Sequence, residues 1–324
     1  MMKGIFTMAL ALGLSFAQPQ ALWANGKTDS TQTKQPREKS AFAKNMHTDL
    51  SFHFGPSQYS GDLGGASQYD QNFLSSRLFK RSTFFYGFSL VKRYRSVLGL
   101  RFGYHAGKLA GSDADTEYQD TKNDQAYARY KRNLDFQTAI REGSCQLEIF
   151  PLHIFRDSSK VGRFALQPYF TGGIGYFSFN PQGSYYDDLT EELKWVDLQP
   201  LRTEGQGMAE YPERKVYELN QWMIPFGGGL QYTFNPKFSL ALEISGRYLF
   251  TDYLDDCSTT YIDPTLFDNY LSATKADLAK RMANKSNLID PNKPYKPGDI
   301  RGSASNNDFY YTVQFRLSMR ISKK

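Results

Sequence analysis

The sequence predicts an all-β protein, an eight-stranded antiparallel transmembrane β-barrel with short periplasmic turns and long extracellular loops. Three observations support this prediction. Apolar and polar residues alternate along about eight segments, as they do in strands whose successive side chains point to opposite faces. Short and long connections alternate between these segments. The N-terminus has the composition of an export signal.

Residues 1–24 are predicted to be a signal peptide. Lys3 precedes an apolar stretch, residues 4–17, that is too short to span a bilayer, and cleavage fits after Ala24. Residues 25–45 are polar, with hardly any apolar side chain to bury, so we expect a flexible periplasmic N-terminal segment. The remaining residues, 46–324, are predicted to form the outer-membrane barrel.

The alternation is clearest in the last predicted strand. Its apolar face would carry Phe309, Tyr311, Val313, Phe315, Leu317, Met319 and Ile321, and its polar face Tyr310, Thr312, Gln314, Arg316, Ser318 and Arg320. The same pattern recurs in residues 98–106, 166–176, 222–232 and 238–251, and more weakly in 50–54, 84–90 and 145–149. Each strand therefore has one face suited to lipid and one suited to a polar interior.

The connections between strands alternate in length. Short turns are predicted near residues 92–96, 156–163 and 235–237, and long loops at 59–80, 109–135, 181–218 and 253–308. This arrangement is typical of outer-membrane barrels, whose long loops lie outside the cell. The alternative is a soluble barrel or sandwich with its apolar face inward. Glycines on the polar face and aromatic residues near the strand ends favour the membrane barrel.

The longest loop is predicted to contain a helix that begins after Asp263 and Pro264. Its apolar stripe at helical spacing comprises Leu266, Phe267, Tyr270, Leu271, Leu278 and Met282. We expect this stripe to pack on the protein's own barrel rim.

Charged residues on the polar faces predict a filled lumen. They are Glu148 and Glu243 opposite Arg101, Arg247, Arg316 and Arg320. An eight-stranded barrel is just wide enough for side chains to fill it, and buried charges require partners. The lumen should therefore be closed by ion pairs, and a diffusion pore is not expected.

No catalytic, cofactor or metal site is predicted. The four histidines are His47, His53, His105 and His153; His53 and His105 should point into the lumen, and none pairs recognisably with a serine. Asp252, Asp255 and Asp256 could bind calcium, although their spacing matches no defined loop. Cys145 and Cys257 fall at opposite ends of the pattern, so we expect no disulfide.

The two ends of the predicted barrel differ in charge. The long loops have a surplus of acidic residues, and the N-terminal tail, short turns and C-terminus have a surplus of basic ones. Two interpretations are open: docking of an acidic periplasmic partner, or contact with the headgroups of outer-membrane lipid. The predicted partner-binding residues are Lys92, Arg93, Tyr94, Arg95, Phe155, Arg156, Lys160, Arg163 and Lys237. No nucleic-acid partner is expected.

Several sequence blocks resemble the PorG family of outer-membrane barrels, which is tied to the type IX secretion system. In order they are SQYSGDLGG, KLAGSDAD, RNLDFQTAIREGSCQLEIF, GGIGYFSFNPQG, WVDLQPLRTEGQG, IPFGGGLQYTFN and FTDYLDDCSTTYIDP. They run from Ser57 to Pro264, and the final strand also fits. WVDLQPL followed by TEGQG, together with TDYLDD and STTY, is the specific combination.

The resemblance implies a non-enzymatic role in protein secretion at the cell outer membrane. It also implies a partner, the periplasmic ring built from the lipoprotein PorK and from PorN. Two other functions remain open from the residues alone. One is a surface adhesin or general structural barrel that acts through its long loops, and the other is an outer-membrane lipid-modifying enzyme.

Overall fold

The computed structural model describes residues 46–63, 82–95, 97–116, 125–152 and 166–321. All of these belong to one compact unit, Ser40–Lys324. The predicted signal peptide, residues 1–24, and the predicted flexible segment, residues 25–45, lie outside the described residues.

Eight antiparallel strands close into a barrel, which confirms the predicted fold class. In chain order they are β1 (Met46–Ser60), β2 (Thr83–Tyr94), β3 (Leu98–Ser112), β4 (Asp135–Ile149), β5 (Leu166–Ser178), β8 (Asn220–Thr233), β9 (Phe238–Leu249) and β10 (Phe309–Arg320). The order around the barrel is β3-β2-β1-β10-β9-β8-β5-β4, and pairing of β3 with β4 closes the ring. Two further strands, β6 (Pro181–Asp187) and β7 (Glu192–Asp197), form a hairpin that extends from β4.

The barrel presents its apolar residues outward and its charged residues inward. Phe84, Phe170 and Trp222 are 68%, 62% and 60% exposed, whereas Arg101 and Arg316 are 1% and 0% exposed. A soluble barrel has the reverse arrangement, because exposed aromatic surface in water is unfavourable. Strands of 12 to 15 residues are also long enough to cross the hydrocarbon core when tilted. The protein is therefore an outer-membrane barrel.

Aromatic side chains ring the outer wall near both ends. At one end Tyr176 and Trp222 make an edge-to-face contact with ring centroids 5.2 Å apart. At the other end Tyr232 and Phe234 make a similar contact at 5.2 Å. Such girdles mark the two membrane interfaces, where an amphipathic ring contacts both hydrocarbon and headgroups.

The two ends of the barrel carry very different connections. Both ends of the described chain lie at the end with the short turns, where β2 is followed by β3 at Leu98 and β8 by β9 at Phe238. The connections at the other end are long and fold into a separate layer, which we call the cap: residues 61–63, 113–116, 125–134, 179–219 and 250–308. In outer-membrane barrels the short turns face the periplasm, so the cap is extracellular.

The cap contains three α-helices: α1 (Gln125–Arg132), α2 (Leu266–Tyr270) and α3 (Ala273–Ala283). The single helix predicted after Asp263 is in fact two, because Leu271 is extended with φ −122° and ψ 158°. Asp263 was predicted to cap this helix with Pro264 in its first turn, but the helix begins at Leu266 with Thr265 as its N-cap residue. The Asp263 carboxylate instead accepts hydrogen bonds from the backbone N–H and the hydroxyl of Thr265 just before the helix. Among the described residues, no helix combines the length and apolar character needed to cross a membrane.

The predicted apolar stripe packs within the cap. Phe267 and Met282 are buried at 1% and 2% exposure. Their neighbours in this core are Leu198, Leu201, Met208, Ile262, Ala276, Ala279 and Ala283. Helices α2 and α3 thus bury their apolar faces against the connection between β5 and β8, one turn of which is a 3₁₀ helix at Gln199–Leu201.

Candidate functional site

A network of four charged residues fills the middle of the lumen. Arg101 donates to Glu148 over 2.5 Å and, through both terminal nitrogens, to Glu243 over 3.0 and 2.7 Å. Arg316 donates to Glu148 over 2.5 Å. All four side chains are at most 1% exposed. Bidentate pairs with further hydrogen bonds are the arrangement that makes buried charge tolerable.

Neutral side chains complete this network. Glu243 also accepts hydrogen bonds from the Tyr169 hydroxyl over 2.6 Å and from the Gln314 amide over 2.9 Å. The Arg316 guanidinium carbon lies 4.5 Å from the centre of the Tyr169 ring. Gly229 makes room for this ring, because a Cβ there would lie 2.9 Å from the Tyr169 hydroxyl and 2.4 Å from a backbone oxygen of β9.

A second network lies nearer the cap. Arg247 donates to Glu142 over 2.7 Å and to the Thr312 hydroxyl over 2.9 Å, and the Tyr310 hydroxyl also donates to Glu142. His105 Nδ1 lies 3.4 Å from Glu142. The predicted inward orientation of His53 and His105 is confirmed, with exposures of 0% and 1%.

A third group closes the periplasmic end of the lumen. Arg93 Nε lies 3.0 Å from Asp49, and its Nη2 lies 3.2 Å from Glu148 and 3.1 Å from the Gln231 amide oxygen. Arg320 Nε lies 3.7 Å from the other oxygen of Asp49. This group is continuous with the central network, because Glu148 contacts Arg93 of this group as well as Arg101 and Arg316 of the central network. The described side chains therefore plug the lumen with ion pairs.

The lumen contains the five predicted residues Glu148, Glu243, Arg101, Arg247 and Arg316, and also three that were not predicted, Glu142, Arg93 and Asp49. Glu142 was overlooked because β4 begins ten residues before the alternation becomes obvious. It lies six residues before Glu148, on the same face, so extending the period-two pattern would have found it. Arg93 was assigned to a turn, whereas β2 continues through Tyr94. Asp49 was missed because β1 begins at Met46, before the apolar alternation.

The predicted periplasmic surface is only partly formed by the residues assigned to it. Arg93 is 4% exposed inside the lumen, so including it in a partner-binding surface was wrong. Lys92 is exposed and shares the outward face of β2 with Leu90. Arg95 and Lys237 are exposed in the short turns, and the Arg95 guanidinium carbon lies 5.4 Å from the Tyr94 ring centre. Phe155, Arg156, Lys160 and Arg163 lie outside the described residues, as does His153.

The two most specific family-like blocks meet in the cap. Glu204, from WVDLQPLRTEGQG, accepts hydrogen bonds from the backbone N–H groups of Ser258 and Thr259, each over 2.9 Å. It also accepts from Arg301 over 2.7 Å. The Thr203 hydroxyl donates to Asp256 over 2.5 Å. These buried contacts join the β5–β8 connection to the β9–β10 connection, so the blocks are parts of one structural unit.

A second buried group in the cap contains more carboxylates than cations. The Tyr59 hydroxyl lies 2.6 Å from Asp255 Oδ2 and 2.7 Å from Asp308 Oδ1. A hydroxyl has one proton and can donate to only one of them. The other carboxyl must therefore be protonated to make its contact favourable. Burial and neighbouring carboxylates raise the pKa of Asp308 to about 8 and raise that of Asp255 well above its ordinary value.

Two of the three carboxylates that suggested calcium accept hydrogen bonds from protein donors, whereas Asp252 Oδ2 is buried with no hydrogen-bond partner among the described residues. Asp255 accepts from the backbone N–H groups of Leu63 and Cys257, over 3.0 and 2.9 Å. Asp256 accepts from the Tyr217 hydroxyl over 2.7 Å. Burial raises the pKa of Asp256 to about 6 and that of Asp252 to about 8. Within the described ranges, no group of His, Cys, Asp and Glu side chains is arranged to hold a metal ion.

Several solved outer-membrane proteins resemble the chain in structure. Ail, the attachment invasion locus protein of Yersinia pestis, is 6% identical, with a TM-score of 0.36 over 86% of this chain and 99% of Ail. A major outer-membrane protein of Thermus thermophilus is 13% identical, with a TM-score of 0.37 over 85% of this chain and 99% of that protein. Neisserial surface protein A is 10% identical, with a TM-score of 0.34 over 85% of this chain and 97% of that protein. Because these scores are below 0.5, the fold and membrane location rest on the strand pairing and burial described above.

No curated protein matches the sequence. One family model does match, over residues 39–263, and it is described as a domain of unknown function, DUF6089. The matched range begins just before β1 and ends in the cap, so it contains seven of the eight barrel strands and nearly all of the seven family-like blocks. The chain belongs to the DUF6089 family.

Proposed function

We propose that this protein is a non-enzymatic outer-membrane component of a type IX secretion machine that anchors or organises the periplasmic ring of PorK and PorN. The observation that carries the proposal is the charge of the periplasmic end. Among the described residues there, Lys92, Arg95 and Lys237 are exposed, while the nearest carboxylate, Asp49, is buried in an ion pair. The sequence resemblance to the PorG family supplies the identity of the partner.

The filled lumen supports a role at the surfaces of the barrel. Arg101, Glu148 and Arg316 cross the lumen at its middle with almost no exposure, and a solute-sized path could open there only by separating these ion pairs. Transport of a protein or a solute through this barrel is therefore unfavourable. A rigid barrel with short turns instead suits an anchor, because its periplasmic surface is held in one conformation.

The basic residues divide into two groups by their direction. Lys92 points outward from β2 with Leu90, a position from which a lysine reaches lipid phosphates at the membrane interface. Arg95 and Lys237 lie at the tips of the turns and face the periplasm. We assign Lys92 to lipid contact. We assign Arg95 and Lys237 to docking of the ring, where charge complementarity mainly raises the association rate and fixes orientation.

Charge reversal at the turns tests this assignment. Arg95→Glu combined with Lys237→Glu should weaken co-purification of PorK and PorN from detergent-solubilised outer membranes. The control is Asp187→Lys with Asp188→Lys in the β6–β7 hairpin, which changes the charge by as much on the extracellular side. Both variants should keep the heat-dependent shift in SDS gels that marks a closed barrel. Release of the ring by the hairpin variant alone would place the partner on the other side of the membrane and refute the proposal.

A second candidate, a surface adhesin, is favoured by one feature of the cap. The β6–β7 hairpin exposes Tyr186, Leu189 and Leu193 at 56%, 95% and 60% on the extracellular side. Exposed apolar side chains of this kind are common at protein-binding surfaces. Replacing all three by serine should reduce attachment to a host surface while cargo secretion continues. If secretion fails and attachment is unchanged, the adhesin role is excluded.

A further inference from the structure

We propose that the cap contains a binding cleft for a multiply phosphorylated saccharide. The cleft lies between α1 and residues 293–306 and has a volume of about 1030 Å³. Six of its lining residues are cationic: Arg129, Lys131, Arg132, Lys293, Lys296 and Arg301. The long loops as a whole have a surplus of acidic residues, so the cleft is a basic site on an otherwise acidic surface.

Two of the six cations have structural roles. Arg132 makes a bidentate pair with Asp113, with both distances 2.8 Å. Arg301 donates to Glu204 over 2.7 Å and to the backbone oxygen of Asp256. Both guanidinium groups are buried and form the floor of the cleft. Their positive charge is largely neutralised by these partners.

Three of the remaining cations are available to a ligand, whereas the fourth, Lys131, is buried at 8% exposure. Within the described part of the chain, no carboxylate lies within ion-pair distance of Arg129, Lys293 or Lys296, and Lys131 has only a long contact of 3.6 Å with Asp290. Lys293 and Lys296 are exposed, and Arg129 is half-buried. Arg129, Lys293 and Lys296 come from both walls of the cleft, so one molecule bound between the walls could contact all three.

Both acidic residues of the cleft accept hydrogen bonds from backbone N–H groups. Asp62 Oδ2 accepts from the backbone N–H of Ser303 over 2.6 Å. Asp299 Oδ2 accepts from the backbone N–H of Lys296 over 2.7 Å. Burial raises the pKa of Asp62, while Arg132 and Arg129 act to lower it. Both carboxylates thus shape the loop.

Tyr295 holds the two walls together. Its hydroxyl donates to the backbone oxygen of Ala128 on α1 over 3.0 Å, and its ring stacks on Tyr261 with centroids 5.2 Å apart. Lys131 lies 4.9 Å from the same ring centre. The cleft is therefore preformed, which lowers the entropic cost of binding.

The chemistry of the cleft selects the class of ligand. Arginine binds phosphate through paired N–H groups, and lysine binds it as a point charge. The volume is at the upper end of the range for small-molecule sites, roughly 300–1,000 Å³, which suits several sugar rings. Tyr295 and Pro294 add apolar surface between the cations. Such a ligand has two sources at this end of the barrel: the headgroup of a glycolipid in the outer leaflet, or a soluble phosphorylated saccharide.

Both sources would present several phosphate groups to the cleft. We test for binding of such groups by titrating the full-length barrel in detergent with inositol hexakisphosphate in a calorimeter. Arg129→Glu with Lys296→Glu should weaken binding at least tenfold, an estimate of about 0.7 kcal/mol or more for each reversed charge. The control, Lys215→Glu with Lys275→Glu, changes the charge equally at exposed positions of the cap outside the cleft and should retain wild-type affinity. Absence of binding to the wild type, or an equal loss in both variants, would overturn the proposal.

A second measurement distinguishes the two sources. Wild type and both variants are reconstituted in nanodiscs containing either a phosphorylated outer-membrane glycolipid or its dephosphorylated form. If the headgroup is the ligand, the phosphorylated glycolipid should occupy the cleft and reduce hexakisphosphate binding to the wild type. If the ligand is soluble, the wild type should bind hexakisphosphate equally in both kinds of nanodisc. Only the variant with Arg129→Glu and Lys296→Glu should then lose this binding.

Discussion

The lumen and the cap both bury many charged side chains, but they balance them differently. In the lumen, Glu142, Glu148 and Glu243 each contact at least one arginine at 2.7 Å or less. In the cap, the Tyr59 hydroxyl lies between Asp255 and Asp308, and no arginine contacts either carboxylate among the described residues. The lumen is therefore held by ion pairs, whereas this part of the cap needs a bound proton.

The difference follows from what surrounds each region. The lumen is enclosed by lipid, and unpaired charge there has no access to water. The cap faces water, so a carboxyl group can exchange its proton with solvent. We therefore expect the barrel to depend on the identity of its charged residues and the cap to depend in addition on pH.

The largest expected effect is at the centre of the lumen. Glu243→Gln removes the charge that pairs with Arg101 and lies near Arg316, and breaking a buried pair in this way costs about 3–5 kcal/mol. The free energy of unfolding in urea, followed by the heat-dependent gel shift, should fall by this amount. The control, Glu218→Gln, changes an exposed residue and should change stability by less than about 0.5 kcal/mol. Equal effects of the two variants would show that the lumen pairs do not hold the barrel.

A smaller and local effect is expected from Glu204→Gln in the cap. This change weakens the hydrogen bonds to Arg301, Ser258 and Thr259, with a cost of about 2–3 kcal/mol. Cys257, which is fully buried beside them, should then react faster with a maleimide when Cys145 has been replaced by serine. The gel shift of the barrel should be unchanged. Loss of that shift would mean that the cap and the lumen unfold as one unit.

The pH dependence of the cap should be weaker again. The pKa of Asp308 in the folded protein, about 8, is above its unfolded value, so its contribution to stability is complete in acid and is lost as pH rises through about 8. Asp308→Asn keeps a neutral group that can donate to the Tyr59 oxygen. Both proteins carry Cys145→Ser, so that a maleimide reports on Cys257 alone. Between about pH 7 and pH 9, the rate of Cys257 labelling without Asp308→Asn, divided by the rate with it, should rise about tenfold. A ratio independent of pH would show that no proton is shared there.

The smallest expected signal is electrical conductance. Because ion pairs fill the lumen, the purified protein in a planar bilayer should give little or no steady current, and Glu204→Gln should not change this. Regular conductance steps of porin size from either protein would show that the lumen opens. The comparison would then fail, because the lumen would not be held closed by its ion pairs.

The strand pattern was predictable from the sequence because it is local. Residues two apart share a face of a strand, so the outward row of Phe309 and Phe315 and the inward row of Gln314 and Arg316 could be identified without knowing any strand partner. The inward charges followed from the same rule. Arg93 also follows the rule, because it shares the inward face of β2 with Ser89 and Val91. It was missed because the basic residues at the end of this strand were assigned to the turn.

Only the tertiary structure decided which charges meet. Tyr59 and Asp308 are 249 positions apart, and Tyr59 and Asp255 are 196 apart. The cationic cleft likewise combines Arg129 of one connection with Lys293 and Lys296 of another. The sequence determined a closed barrel with a polar interior, because that follows from residue order within each strand. The folding of four long connections over one rim decided which cap carboxylates share a proton and where the free cations gather, because those contacts depend on loop geometry that has no sequence period.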